Sequence, residues 1–401
     1  MPTSEKEHIL QSLPIERPRD RPLDPPAEFL KLREAGPIVR MVFPDGHLGW
    51  LVTGHTLARH VLSDPVFSSR PELQHIPLAT MGGLTMPPAA PGQMSNMDAP
   101  EHTRYRRMLL PHFTRSRMEE LRPGLEQIIE RRLDIMASAP SGEVDLASCV
   151  AHPITFSAIG LLLGIPADDQ QFSSPAEITD VDGPAGFQVF MDTMNYLGEL
   201  IRRKRAEPAD DLLGRLVADT DLSDGELINM SMMLIIGGTE STAHMILSSV
   251  LLLLQQPDQR AEYLDALATD YAAVDELVRF LSVSQVVMPP RTATADTELG
   301  DVLVRAGETV AVSLTAANHD PSVFDDPARL RLDRAEAGRH VGFGHGIHRC
   351  IGSHLARIEV QQCVTQIFRR FPRLRLDQPL ESVPMREKEF MYGPRALRVR
   401  W

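Results

Sequence analysis

The sequence predicts a mainly α-helical protein with small β-sheets, built as one domain over residues 1–401. Three observations carry this. Apolar residues recur at three-to-four spacing in "RYRRMLLPHF", "GLEQIIERRLDIMASA", "MDTMNYLGELIRRKRA" and "CVTQIFRRF". One further helical pattern is much longer than these. Strand signals are short and clustered: "PIVRMVF" and "GWLVTG" fall early, "VLVRAGETVAVSL" and "ALRVRW" late. No repeat, low-complexity tract or Gly/Ser linker divides the chain.

Composition narrows the function. Apolar residues make up 43% and charged residues 24%, ordinary for a globular protein with a large core. A net charge of −13 argues against nucleic-acid binding, which needs a basic face. The stretch "MPTSEKEHILQSLPIERPRDRPLDPP" is charged and proline-rich, unlike a signal peptide or membrane anchor. The longest apolar runs are too short to span a bilayer. Cys149, Cys350 and Cys363 form no disulfide framework, and a cytoplasmic location is expected.

The longest helix runs from about residue 224 to 255. Ser223 and Glu226 form a capping box at its start, and Pro257 ends the pattern. At 1.5 Å per residue it is roughly 48 Å long and should cross the domain. Gly237-Gly238 in its middle costs on the order of 2 kcal/mol against two alanines. Thr239, Glu240, Ser241 and Thr242 follow at once. The glycine pair reads either as a packing notch for a crossing helix or as an opening for a ligand beside an acid and an alcohol.

The stretch "GFGHGIHRCIGSHLAR", Gly342 to Arg357, raises the question of Cys350. A structural zinc site needs four ligands, and His345, His348 and Cys350 have no second cluster nearby. A redox CxxC pair is absent. A thiol nucleophile with a histidine stays open. The remaining option is a lone thiolate on a large metal cofactor. The glycines let backbone N–H groups close round the sulfur, and a helix beginning near Ile351 points its positive end at it. Haem iron takes one axial cysteine thiolate.

"FGHGIHRCIG", Phe343 to Gly352, resembles the haem-binding loop of the cytochrome P450 monooxygenases. The resemblance runs from "MDAPEHTRYRR" to the C-terminus and is closest to the soluble bacterial members. "GGTES" resembles the distal-helix motif of that family, and "ELVRF" its Glu-x-x-Arg motif. "DAPEHTRYRR" and "PPRTA" resemble the segments that hold haem propionates. The resemblance implies the cytochrome P450 fold, with haem b between the long distal helix and the proximal loop 342–352. Cys350 would be the axial iron ligand, with Phe343, Gly352 and Gly238 also beside the haem. His102, Arg106, Arg291 and His348 would hold the propionates. Glu276 and Arg279 would form a buried network with Arg329.

The implied activity is oxygen activation by an oxidoreductase that puts one atom of O2 into its substrate. The thiolate pushes electron density onto the iron and favours O–O cleavage. Glu240 and Ser241, with Thr242 following, would relay protons through ordered water. Substrate contacts are expected at Met86, Met232, Ile236, Thr239, Val287, Met288, Phe390 and Met391. The loop "HIPLATMGGLTMPPAAPGQMSN" reads as a mobile apolar lid. The substrate would be a sizeable, mostly apolar molecule of secondary metabolism. Electrons would come from NAD(P)H through a ferredoxin or flavodoxin and its reductase. An acidic carrier would dock on a basic face formed by Arg104, Arg107, Arg115, Arg117, Arg349 and Arg357.

The chain departs from the family pattern at three points, the mildest being Gly237 in place of the distal alanine. Ser241 stands where threonine is usual and lacks the methyl that fixes the rotamer. Val283 stands four after Arg279, where proline is common. Ser241 keeps a peroxide-driven or oxidative-coupling haem-thiolate enzyme in view. A ligand sensor without turnover is the non-enzymatic alternative, and the acid–alcohol pair argues against it.

Overall fold

The computed structural model describes residues 9–401 apart from Thr85, 167–168, 170–182 and 266–270. The start of the charged N-terminal stretch and Thr85 of the predicted lid thus lie outside the described residues. Helices dominate, as the periodicity requires. The four periodic stretches fall in helices Glu101–Leu109, Arg122–Ala137, Gly183–Ala206 and Ser353–Arg370. The first gives way to a single 3₁₀ turn, Leu110–His112, where Pro111 interrupts the ladder.

The long helix spans Asp224–Gln255, 32 residues without a break. Its capping box is formed: Ser223 Oγ accepts from the Glu226 N–H, and the Glu226 carboxylate accepts from the Ser223 N–H. From Thr242 to Leu253 every residue is buried. A helix apolar on all sides must run through the interior. It packs against helices His152–Leu163, Gly183–Ala206 and Ser353–Arg370.

The strands build three small sheets around this helical body. Strands β1 (Ile38–Val42), β2 (Leu48–Val52), β3 (Phe67–Ser68), β5 (Arg291–Ala293) and β8 (Thr309–Val312) form a five-stranded sheet in the order β1-β2-β8-β5-β3. The pairing is antiparallel except for β2 beside β8, which runs parallel. Strands β6 (Thr297–Leu299) and β7 (Val302–Val304) make a separate hairpin. The predicted single run "VLVRAGETVAVSL" is therefore two strands, β7 and β8, parted by a turn at Gly307 with φ +87°. Strand β10 (Arg398–Arg400) lies between β4 (Glu143–Asp145) and β9 (Arg375–Leu376).

One polar network ties helix Ala272–Leu281 to the chain before the cysteine loop. Glu276 and Arg279 are fully buried. Arg279 Nε and Nη2 donate to the two Glu276 oxygens at 2.7 and 2.8 Å. The second cation is Arg334, whose Nε lies 3.1 Å from both Glu276 oxygens. This corrects the expectation for Arg329. That side chain is exposed, and only its carbonyl joins the network, accepting from Arg334 Nη2 at 3.0 Å. Three arginines stand within six residues here, and only the turn geometry selects the one that points inward.

Candidate active site

The network places the loop that precedes the cysteine helix. Asn318, whose carbonyl accepts from Arg279 Nη1 at 2.9 Å, also accepts at Oδ1 from the Val341 N–H at 2.8 Å. The loop then closes on itself: the Cys350 N–H donates to the Phe343 carbonyl at 2.8 Å. Gly344 and Gly346 make this possible with φ of +68° and +70°. A side chain at Gly346 would stand 2.2 Å from the Leu62 carbonyl oxygen, so the loop is pressed against helix His55–Ser63. Helix Ser353–Arg370 starts three residues after Cys350.

The loop forms one wall of a cavity of about 370 Å³. Cys350, Phe343 and Gly352 line it, as do Gly237, Gly238, Ser241 and Thr242 of the long helix. Cys350 is open to this space and lies deep among surrounding protein atoms. That enclosure pushes its thiol pKa up, while the Gly352 N–H and Arg106, Arg357 and Arg349 act to lower it.

Four nitrogen-bearing side chains from three segments meet on the cavity: His102 and Arg106 of helix Glu101–Leu109, Arg291 and His348. The His102 and His348 rings are 4.2 Å apart. His348 Nε2 lies 3.0 Å from Ser69 Oγ. Arg106 Nη2 donates to the Arg349 carbonyl at 2.7 Å. Arg291, at the start of β5, is 3% exposed, and its Nη1 donates to the Pro289 and Pro290 carbonyls. None of these bonds is to a carboxylate. Asp98, the nearby acid, is taken by Ser68 and Ser69. Burial pulls Arg291 down to about 10, His102 to about 4 and His348 to about 2, the last two also through neighbouring cations. His102 Nδ1 is buried without a partner. Arg291 is a buried cation with no carboxylate bonded to it, and such a charge demands an anion, which the neighbouring imidazoles and Arg106 can also bond. A flat iron cofactor with two carboxylates would fit this donor set, with Cys350 to hold the metal.

The glycine pair divides its two predicted uses. A Cβ on Gly238 would meet Ile159 Cδ1 at 2.5 Å, so Gly238 is a packing notch for helix His152–Leu163. Gly237 faces open space, with nothing within 4 Å of such a Cβ. Ser241 Oγ donates back to the Gly237 carbonyl at 2.8 Å. Thr242 borders the cavity beside it, although one helical step separates them. Glu240 does not line the cavity. Its carboxylate is held by Arg386, with His244 Nε2 3.7 Å away.

The predicted substrate positions separate as clearly. Val287, Met288, Phe390 and Met391 line the cavity. Met232 is core, 4% exposed, and Met233 takes the lining position instead. Thr239 is buried and bonds the Ile235 carbonyl. Ile236 and Met86 are surface residues, 54% and 39% exposed, off the cavity wall. A helix in contact with both cavity and core alternates these roles within one turn, and "INMSMMLIIGG" is apolar on every side.

The basic face is smaller than expected. Arg107, Arg115, Arg117 and Arg349 are exposed. Arg357 is buried, bonded to Asp275 at 2.7 Å and stacked over the Phe343 ring. Arg104 is paired with Glu226 and Asp221 at the start of the long helix. Residues that sequence reasoning missed are Arg334, Arg386, His244 and Glu359. Glu359 lines the cavity from the cysteine helix, and burial raises its carboxyl well above the usual range. His244 stands four after Glu240, a spacing that was visible. Arg386 comes from 146 residues away, and no local pattern announces it.

A helical body with small sheets, and a cysteine loop facing a long helix across a cationic cavity, define a haem-thiolate protein. Comparison with known proteins agrees. The Cytochrome P450 family model matches residues 262–400. Cytochrome P450 105C1 of Streptomyces sp is 38% identical, over 96% of this chain and 97% of its own. Nocardicin C N-oxygenase of Nocardia uniformis subsp. tsuyamanensis is also 38% identical, over 93% and 94%. The crystal structure of cytochrome P450 MoxA from Nonomuraea recticatena superposes with a TM-score of 0.89 at 36% identity, covering 97% of this chain and 98% of that one. The chain belongs to the cytochrome P450 family and is a monooxygenase, an oxidoreductase with a haem-thiolate iron cofactor. Among the described residues no helix is long and apolar enough to cross a membrane.

Proposed function

We propose that the chain is one cytochrome P450 domain over residues 1–401 that oxidises a sizeable, mainly apolar small molecule of secondary metabolism. The observation that carries the site assignment is the meeting of the Cys350 thiol with four nitrogen side chains that bond no carboxylate on one cavity. In this reading the group bound there is haem b, which supplies the activation of O2. Cys350 would hold its iron as the thiolate. The Gly352 N–H and nearby Arg106 and Arg349 offset the cost of that charge. His102, Arg106, Arg291 and His348 take the propionates.

The chain's other residues orient substrate and manage protons. Gly237 leaves room for a small molecule and water beside Ser241 and Thr242. Ser241 gives its own hydrogen to the Gly237 carbonyl, so its lone pairs accept from a cavity water. Thr242 offers a second hydroxyl. Glu240 is the carboxylate behind them that takes up and passes on protons. Met94, Phe113, Leu162, Met233, Val287 and Phe390 give a mostly apolar lining, which binds by area and excludes water. Relatives named as a nocardicin C N-oxygenase and a pentalenic acid synthase support a natural-product substrate.

Electrons come from NAD(P)H through a separate ferredoxin or flavodoxin and its reductase, in the cytoplasm. Arg107, Arg115, Arg117 and Arg349 offer an acidic carrier its docking charge. The test is turnover of a natural-product panel, preselected by spin-state shift, with ferredoxin, reductase and NAD(P)H or with peroxide alone. Product with the electron-transfer chain is expected. Product with peroxide alone would replace this reading by a peroxygenase, and no product with either would favour a ligand sensor.

A further inference from the structure

Glu240 is gripped from outside its own helix. The residues that grip it belong to a hairpin of the C-terminal segment. Met385 bridges Pro394, and the Arg386 N–H donates to the Gly393 carbonyl at 2.9 Å. Gly393 packs flat on the long helix, where a Cβ would stand 2.9 Å from His244 Nδ1. At the base of this hairpin Arg386 Nη1 bonds the Glu240 carboxylate and lies 3.2 Å from His244 Nε2. At its tip Phe390 and Met391 line the cavity. Met391 also bridges Ser284, whose Oγ lies 3.3 Å from its sulfur. One short, hydrogen-bonded element thus touches both the cavity and the acid.

The grip is incomplete in a way that suits release. Arg386 holds Glu240 through Nη1 alone and spends Nη2 on Glu389. Its Nε is buried with no partner. Glu389 is shared in turn with Arg395. A guanidinium divided among Glu240, His244 and Glu389 is easier to shift than one engaged in a two-bonded fork. The titratable and charged groups that face Glu240 are Arg386 and Glu389 from the hairpin, His244 from its own helix, and His152 from helix His152–Leu163. The His152 ring is 5.7 Å from that of His244. Burial alone would raise the Glu240 carboxyl, but His244, Arg386 and then His152 hold it below its usual value. Held this way it stays ionised and turned from the cavity.

We propose that Arg386 is a positioning residue for Glu240, and that the hairpin 385–394 works as a latch, so that a molecule filling the cavity against Phe390 and Met391 shifts Arg386 and frees the Glu240 carboxylate. This rests on the reading of Glu240 as the acid. Proton delivery is then withheld until substrate is present, which limits wasteful reduction of O2.

The test uses the haem-loaded protein and 4-phenylimidazole, an apolar iron-binding probe, in place of the unidentified substrate. Hydrogen exchange of segment 385–394 is followed with and without the probe in wild type, Arg386→Lys and Arg386→Gln. The probe should speed exchange of the Arg386 amide in wild type by about tenfold. Arg386→Gln should exchange at the fast rate without the probe and gain little from it. Histidine carbon NMR gives a second readout. His152, held near 4 by burial and then by His244 and Arg386, should titrate higher in Arg386→Gln and close to wild type in Arg386→Lys. Exchange unmoved by the probe in wild type would overturn the latch. The peroxide released per NAD(P)H consumed separates the two ideas. If Glu240→Gln leaves it unchanged, the acid role fails. If Glu240→Gln changes it while both Arg386 variants match wild type, the latch alone fails.

Discussion

Two glutamate–arginine clusters use the same chemistry for opposite ends. Around Glu276 both partners are fully buried and the donors are spoken for. Arg279 Nη1 reaches the Asn318 and Pro327 carbonyls at 2.9 Å, and Arg334 Nη1 reaches the Asp325 carbonyl at 2.5 Å. The backbone N–H of Arg331 adds a further bond to Glu276 at 3.0 Å. Around Glu240 the side chains keep about a fifth of their surface, and one arginine nitrogen is left over. A saturated buried network has a single arrangement and fixes the loop that carries Cys350. A shared, partly wet one has alternatives and can respond to what fills the cavity.

The largest expected effect tests the frame. Arg279→Ala strands Glu276 with one cation and should cost on the order of 3–5 kcal/mol in urea unfolding. Glu240→Gln should cost about 1 kcal/mol or less, since its pair is partly solvated. Equal losses would break the comparison. A middle-sized effect comes from the glycine pair. Gly238→Ala should destabilise by about 1–3 kcal/mol through its clash with Ile159. Gly237→Ala should stabilise the helix by up to about 1 kcal/mol while narrowing the cavity, read as weaker binding of 4-phenylimidazole. If both alanines destabilise alike, Gly237 is a packing notch as well.

The smallest effect lies at the start of the long helix. Burial opposes ionisation of Glu226, but Arg104, the Ser223 N–H and hydroxyl and Tyr105 outweigh it and hold the carboxyl near 2, below its ordinary 4.5. A folded value below the unfolded one gives stability that is whole above pH 4.5 and fades as pH falls toward 2. Unfolding midpoints from pH 6 to 2 should therefore fall less steeply in Glu226→Gln than in wild type. An identical slope would remove the carboxylate from the account of that helix end.

Much of the fold was legible because its signals are local. The capping box at Ser223, the stop at Pro257 and the 3.6-residue period all act within a few residues, and the long helix ends where they place it. The cysteine loop was legible because its glycines, basic residues and cysteine lie in one stretch. What failed depends on contacts far apart in sequence. Arg334 rather than Arg329 points inward because of the turn between them. Arg357 is drawn inside by Asp275, and Arg386 reaches Glu240 only after the C-terminal hairpin folds back. Met232 and Met233 could not be ranked because an all-apolar helix has no polar face to show which side is core.

The most direct test of the haem-thiolate site is a carbon monoxide difference spectrum of the dithionite-reduced protein, for wild type and Cys350→Ser. The account predicts a strongly red-shifted Soret band in wild type that is lost in the variant. A well-folded wild type with no haem, or with the band at the shorter wavelength, would contradict it.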